Sequence, residues 1–271
     1  MEAHPSWNAS NKKDVDNIWR YGYLRQGMQL EVWLRAVRQR HVRRYCEIGV
    51  NGGHGTAAVL LGNPALTVRS FDLGRQTYSS HVYDLLRQSF PGRFEIFVGS
   101  SFGDPAGDEG APDNGTLRPF IERVRLDEEP PCDVLLIDGA HDFAGVSKDL
   151  ELARGLVPCG PHTLLFDDTH NGKGKDGVRR ALQAAQGRGL IEVDKAWTYN
   201  KTDRFNNPCL RVAYPNCYGR RPTRDRVATS LCKICKVPWG FAVGHYVLPE
   251  RCGAQSSPLA RLALDLPIGR A

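Results

Sequence analysis

Apolar and β-prone residues gather in five short blocks: Tyr45 to Ile48, Thr67 to Phe71, Arg93 to Val98, Asp133 to Asp138 and His162 to Phe166. Between them, apolar positions recur at helical spacing, as in Ser79 to Ser89, where Val82, Leu85 and Leu86 share one face. Ala57 to Leu61, Leu117 to Leu126, Phe143 to Leu156 and Lys175 to Gln186 read as further helices. Asp133 to Asp138 (DVLLID) sets four apolar residues between two carboxylates, the pattern of a strand buried on both faces. Strands alternating with helices imply a parallel sheet with right-handed crossovers. Ile191 to Tyr199, Leu210 to Tyr214 and Trp239 to Leu248 read as closing strands, the last antiparallel to a neighbour. Upstream, Asn17 to His41 reads as one or two amphipathic helices packed on the domain, with Trp19, Tyr21, Tyr23 and Trp33 buried. The glycine-, proline- and acid-rich stretch 103–116 reads as a mobile loop. The chain divides into an N-terminal extension (1–42), a main domain (43–250) with a cysteine-rich excursion around 209–236, and a tail (251–271).

The first strand runs into a crowded glycine turn, YCEIGVNGGHGT from Tyr45 to Thr56. Glycine tolerates positive φ and lets a ligand approach the backbone, and the helix that follows offers free N–H groups. Two patterns overlap here. Gly53, Gly55 and Ala58 fit the dinucleotide fingerprint GxGxxA, whose turn cradles a pyrophosphate. Glu47, Gly49, Gly53 and Gly55, in the spacing ExGxxxGxG, resemble the first motif of class I S-adenosylmethionine (SAM) methyltransferases. In that family the acid lies near the methionine ammonium and the turn passes under the sugar. The resemblance assigns Glu47, Gly49, Asn51, Gly53, Gly55 and Thr56 to the cofactor. Asp72, ending the second strand, is placed to accept both ribose hydroxyls, which SAM and NAD share. Ser100 follows the third strand, where SAM enzymes commonly set a hydrogen-bonding residue near the adenine or its ribose.

Ligands of such sheets bind outside the carboxyl ends of the strands. One rim should therefore carry Gly49 to Gly55, Asp72, Asp138, His141, Asp167, Asp168 and His170. Like charges this close raise one another's pKa values, and a divalent cation with oxygen ligands relieves the repulsion.

The stretch IDGAHDFAGVSKDLELARGLVPCGPHTLLFDDTH, Ile137 to His170, resembles the metal-dependent sugar O-methyltransferases of the macrocin type. Catechol-type O-methyltransferases are wider relatives. The resemblance spans roughly residues 43 to 171, and the chain outside departs from it. It implies a Rossmann-like class I methyltransferase fold: a seven-stranded, mostly parallel α/β sheet, helices on both faces and a C-terminal antiparallel hairpin. It implies SAM as cofactor and a Mg²⁺ or Mn²⁺ ion on Asp138, Asp167 and Asp168. Asp138 is counted with the cofactor residues as well. His170 takes the place of the proposed base, with His141 as the second candidate. The implied partner is a small-molecule or glycan acceptor.

Composition narrows the classes further. No apolar run reaches a membrane span, the N-terminus lacks the apolar stretch of a signal peptide, and a net charge of +6 is too small to point to nucleic acid. Of eight cysteines, Cys46, Cys132 and Cys159 fall in or beside core elements and read as buried thiols. Cys209, Cys217, Cys232, Cys235 and Cys252 cluster late, where disulfides and zinc compete as explanations. Three sequons, at Asn8, Asn114 and Asn200, lean toward a secretory lumen, leaving cytoplasm and a secretory or Golgi lumen as alternatives.

Two other functions compete. An NAD-dependent oxidoreductase explains the GxGxxA overlap but leaves the acidic pair after strand five unused. A non-catalytic binding protein on the same fold has no need of buried like charges.

Overall fold

The computed structural model describes residues 27–103, 115–169, 176–194, 199–200 and 240–248. The readings of the first 26 residues, the 104–114 insert, the Leu210 to Tyr214 strand, the cysteine-rich excursion, the tail and His170 lie outside the described residues.

Five parallel strands form the centre of the sheet: β1 (Arg44–Ile48), β2 (Thr67–Asp72), β3 (Phe94–Val98), β4 (Val134–Ile137) and β5 (Thr163–Phe166). β6 (Ile191–Val193), the two-residue β7 (Tyr199–Asn200) and β8 (Gly240–Tyr246) complete it. The order is β3-β2-β1-β4-β5-β8-β6, with β7 on β8. β8 runs antiparallel to β5, β6 and β7, so the expected closing hairpin is present. Register is tight: Ile48 faces Phe71 and Ile137, and Ile137 faces Phe166. Strands one, two, four and five therefore end at one level.

Among the described residues six α-helices cover the sheet: α1 (Gly27–Val37), α2 (His54–Gly62), α3 (Ser79–Ser89), α4 (Leu117–Arg125), α5 (Phe143–Ala153) and α6 (Gly177–Gly187). Side chains alternate across each strand. Tyr45, Leu136 and Leu165 pack with Trp33, Val37, Val59, Leu60 and Leu86 on the α1–α3 face. Cys46, Ile48, Leu135 and Phe166 pack with Phe120, Val146, Leu150 and Leu182 on the other. Among the described residues no helix is long and apolar enough to cross a membrane.

His162, just before β5, anchors β8. The backbone N–H of Tyr246 donates to its Nε2 at 3.0 Å, so the ring proton sits on Nδ1, 3.0 Å from the Gly160 carbonyl oxygen. Burial lowers its pKa and keeps the ring neutral. The Tyr246 hydroxyl donates to the Leu150 carbonyl oxygen at 2.7 Å, tying β8 to α5 as well.

The cysteines correct the expectation of buried thiols. Cys46 and Cys132 form a disulfide, with Cα atoms 5.8 Å apart, and Cys159 is disulfide-bonded as well. The cause is strand order: β4 pairs directly with β1, bringing together residues 86 apart in sequence. Closing a loop that long restricts the unfolded chain by about 4.6 kcal/mol in the chain-entropy view. Replacing both Cys46 and Cys132 by serine should lower unfolding free energy by about 2–4 kcal/mol, read as a lower denaturant midpoint. An unchanged midpoint, with two titratable thiols in the parent protein, would refute the bond.

Candidate functional site

The glycine turn begins where β1 meets β4. Gly49 has φ +96, and a Cβ there would lie 2.2 Å from the Asp138 carbonyl oxygen. Only glycine lets these strand ends close on each other. Asn51 also adopts positive φ, and its side-chain oxygen accepts from the Tyr78 hydroxyl. Gly53, with φ 72, then caps α2, whose N-terminus carries no side-chain cap.

Asp72 holds this turn in place. One carboxylate oxygen accepts the N–H groups of Val50 at 2.7 Å and Asn51 at 3.1 Å. The other accepts the Gly74 N–H and the Tyr83 hydroxyl, both at 2.7 Å. Four donors occupy the carboxylate's four lone-pair sites. A ribose diol would thus have to share or displace one of them; Tyr83 was absent from the expected set.

Glu47 is buried within β1. Its Oε1 accepts the hydroxyls of Thr56 and Ser70, each at 2.6 Å. Thr56 therefore acts on Glu47 directly. Burial raises the Glu47 pKa to about 7, against the opposing pull of the two hydroxyls. Ser100 donates its hydroxyl to the Gly103 carbonyl oxygen at 2.7 Å.

At the ends of β4 and β5, Asp138, His141 and Asp168 each offer one ligand atom, all within 4.8 Å of one another. The His141 Nε2 lies 3.7 Å from Asp138 and 3.5 Å from Asp168. Burial raises the Asp138 carboxyl above its ordinary range; Asp168 adds to the rise and His141 opposes it. Asp168 adopts φ 53, a left-handed conformation that turns the chain out of β5. Two carboxylates and an imidazole suit a divalent cation such as Mn²⁺.

This set differs from the expected trio in one member. Asp167 accepts the Asp168 N–H at 2.7 Å. Burial and the charges of Asp138 and Asp168 push its carboxyl well up. Asp167 continues the alternation of β5 toward the α1 side of the sheet, whereas Asp168 leaves it. There the Gln29 amide of α1 faces Asp167 and favours its charged form, short of a well-formed hydrogen bond. The buried Tyr45 hydroxyl feels Glu47, Asp138 and Asp167 together. Gln29 and Tyr45 were missed because only the folded sheet sets them beside the rim.

No known family model and no curated protein matches the chain in sequence. Solved structures do match it in shape. A Klebsiella pneumoniae protein assigned to the O-methyltransferases superposes with a TM-score of 0.50 at 14% identity, covering 82% of this chain and 80% of that one. An O-methyltransferase from Bacillus cereus, solved with S-adenosylhomocysteine (SAH), has a TM-score of 0.46 at 15% identity, covering 89% and 83%. TomG of Streptomyces achromogenes, from tomaymycin synthesis and solved with SAM, has a TM-score of 0.46 at 16% identity, covering 81% and 77%. The fold is the Rossmann-like fold of class I methyltransferases.

Glu47 yields a pH test. Its carboxyl titrates at about 7 in the fold and at 4.5 in an unperturbed chain, so the folded state holds an extra proton between those values. Its contribution to stability is full below the lower value and declines as pH rises through the higher one. Asp138, Asp149 and Asp167 slope the same way. Glu47→Gln should therefore flatten, without levelling, the fall in denaturant midpoint between about pH 5 and pH 8. A variant profile as steep as the parent's would refute the assignment.

Proposed function

We propose that the chain is a SAM-dependent O-methyltransferase that uses a divalent cation to activate a hydroxyl of a sugar or glycan-type acceptor. The observation that carries the reading is the Asp138, His141 and Asp168 group, set next to a glycine turn that β1 and β4 share. When bound, SAM supplies the methyl group, and the cation lowers the pKa of a coordinated hydroxyl and directs it.

The protein's own part is placement and charge. Asp138, His141 and Asp168 hold the cation. Glu47 and the turn from Gly49 to Gly55 hold the cofactor's methionine and sugar ends, with Asp72 fixing the turn beneath them. His141 cannot donate its ring lone pair to a metal and also take a proton with it. The proton therefore goes to His170, two residues past Asp168. Holding acceptor oxygen and methyl carbon at attack distance supplies most of the rate. The Cys46–Cys132 disulfide favours an oxidising compartment over the cytoplasm.

Isothermal titration of SAM, first with Mg²⁺ and then with EDTA, tests the reading. Micromolar binding is expected in both, with labelled methyl transfer to a panel of sugars only when metal is present. Heat from NAD and none from SAM would overturn it.

A further inference from the structure

α5 carries a carboxylate where its pattern calls for an apolar residue. Val146, Leu150 and Ala153 form its buried face, and Asp149 sits among them with no exposed surface. A buried carboxylate without compensation is costly, so its partners identify its task. The Ser101 hydroxyl, from the loop after β3, donates to Asp149 Oδ1. The Ala140 N–H, from the loop after β4, faces the carboxylate and favours its charged form, short of a well-formed hydrogen bond. The remaining oxygen, Oδ2, has no hydrogen-bond partner and lies 3.4 Å from where a Cβ on Gly139 would be. One residue earlier, the Lys148 ammonium stands 4.9 Å above the Phe102 ring, a second grip of α5 on the same loop.

β3 and β4 are not neighbours: β2 and β1 lie between them. No sheet hydrogen bond can set the distance between their loops. Asp149 does so from the helix behind. The two loops hold Ser100 on one side and Asp138 to His141 on the other. They flank the ground beyond Asp72 and Glu47, where the adenosine half of a cofactor would lie.

We propose that Asp149 is a positioning residue for the cofactor, a buried clasp that joins Ser101 to the Ala140 loop and so fixes the walls of the adenosine pocket. The inference rests on the methyltransferase reading above. Asp149 touches no reacting atom; it acts through the two loops.

SAH and adenosine binding to the full-length chain, followed calorimetrically, tests the clasp. Asp149→Asn keeps the volume and one acceptor for Ser101 but turns a donor toward Ala140. It should weaken SAH and adenosine by the same factor, about tenfold. One Mn²⁺ should still bind per chain, which a general loss of structure would not allow. Ser101→Ala leaves α5 intact, should weaken both ligands in the same direction, and decides the matter if Asp149→Asn fails to fold. Hydrogen exchange should quicken at 100–103 and 139–141 and not in the interior of α5. SAH and adenosine binding unchanged in Ser101→Ala and in a folded Asp149→Asn would overturn the clasp. A parent chain that binds Mn²⁺ but neither SAH nor adenosine would remove the cofactor reading beneath it.

Discussion

Carboxylates at or just inside the ends of four adjacent strands are the constraint around which this molecule is arranged. β2, β1, β4 and β5 lie side by side and finish level, presenting Asp72, Glu47, Asp138 and the pair Asp167 and Asp168. Packed together, such charges repel, and each must be neutralised or matched by donors. The protein meets the demand unevenly. Asp72 receives four hydrogen bonds and Glu47 two hydroxyls. Toward β4 and β5, Asp138 and Asp168 meet the His141 imidazole, and Asp167 meets the Asp168 N–H and the Gln29 amide. That grouping is the one a cation would fit.

The close contact of Gly49 with Asp138 links the two halves of this rim. Because the β1 and β4 ends touch, the glycine turn and the acidic group are neighbours in space. The α1 helix then roofs the junction, with Gln29 and Trp33 buried above it. The helix packs on the main domain, with Trp33 in its core. Its Trp33 ring lies 3.0 Å from where a Cβ on Gly55 would project, so the roof and the turn constrain each other.

Much of this was legible in the chain because it is local. DVLLID, the glycine turn and the FDD run each state their structure within a few residues, and alternation of strand and helix implies the sheet. What stayed hidden depends on strand order. The Cys46–Cys132 bond follows from β1 pairing with β4. The gathering of His141 with Asp138 and Asp168, while Asp167 turns to the α1 side, follows from where β5 loses its alternation, at Asp168. Asp72 was read as a ribose ligand, and the four donors it holds come from Val50, Asn51, Gly74 and Tyr83. Asp149 did leave a trace: a carboxylate in the apolar stripe of α5 breaks its pattern and marks a buried polar task.

Manganese binding, followed by the loss of the free-ion electron paramagnetic resonance signal, tests the central claim most directly. One ion should bind per chain, and Asp138→Asn and Asp168→Asn should each weaken it by about tenfold or more. An undiminished free-ion signal with the parent protein, or full binding in Asp168→Asn, would contradict the proposal that a cation completes this rim.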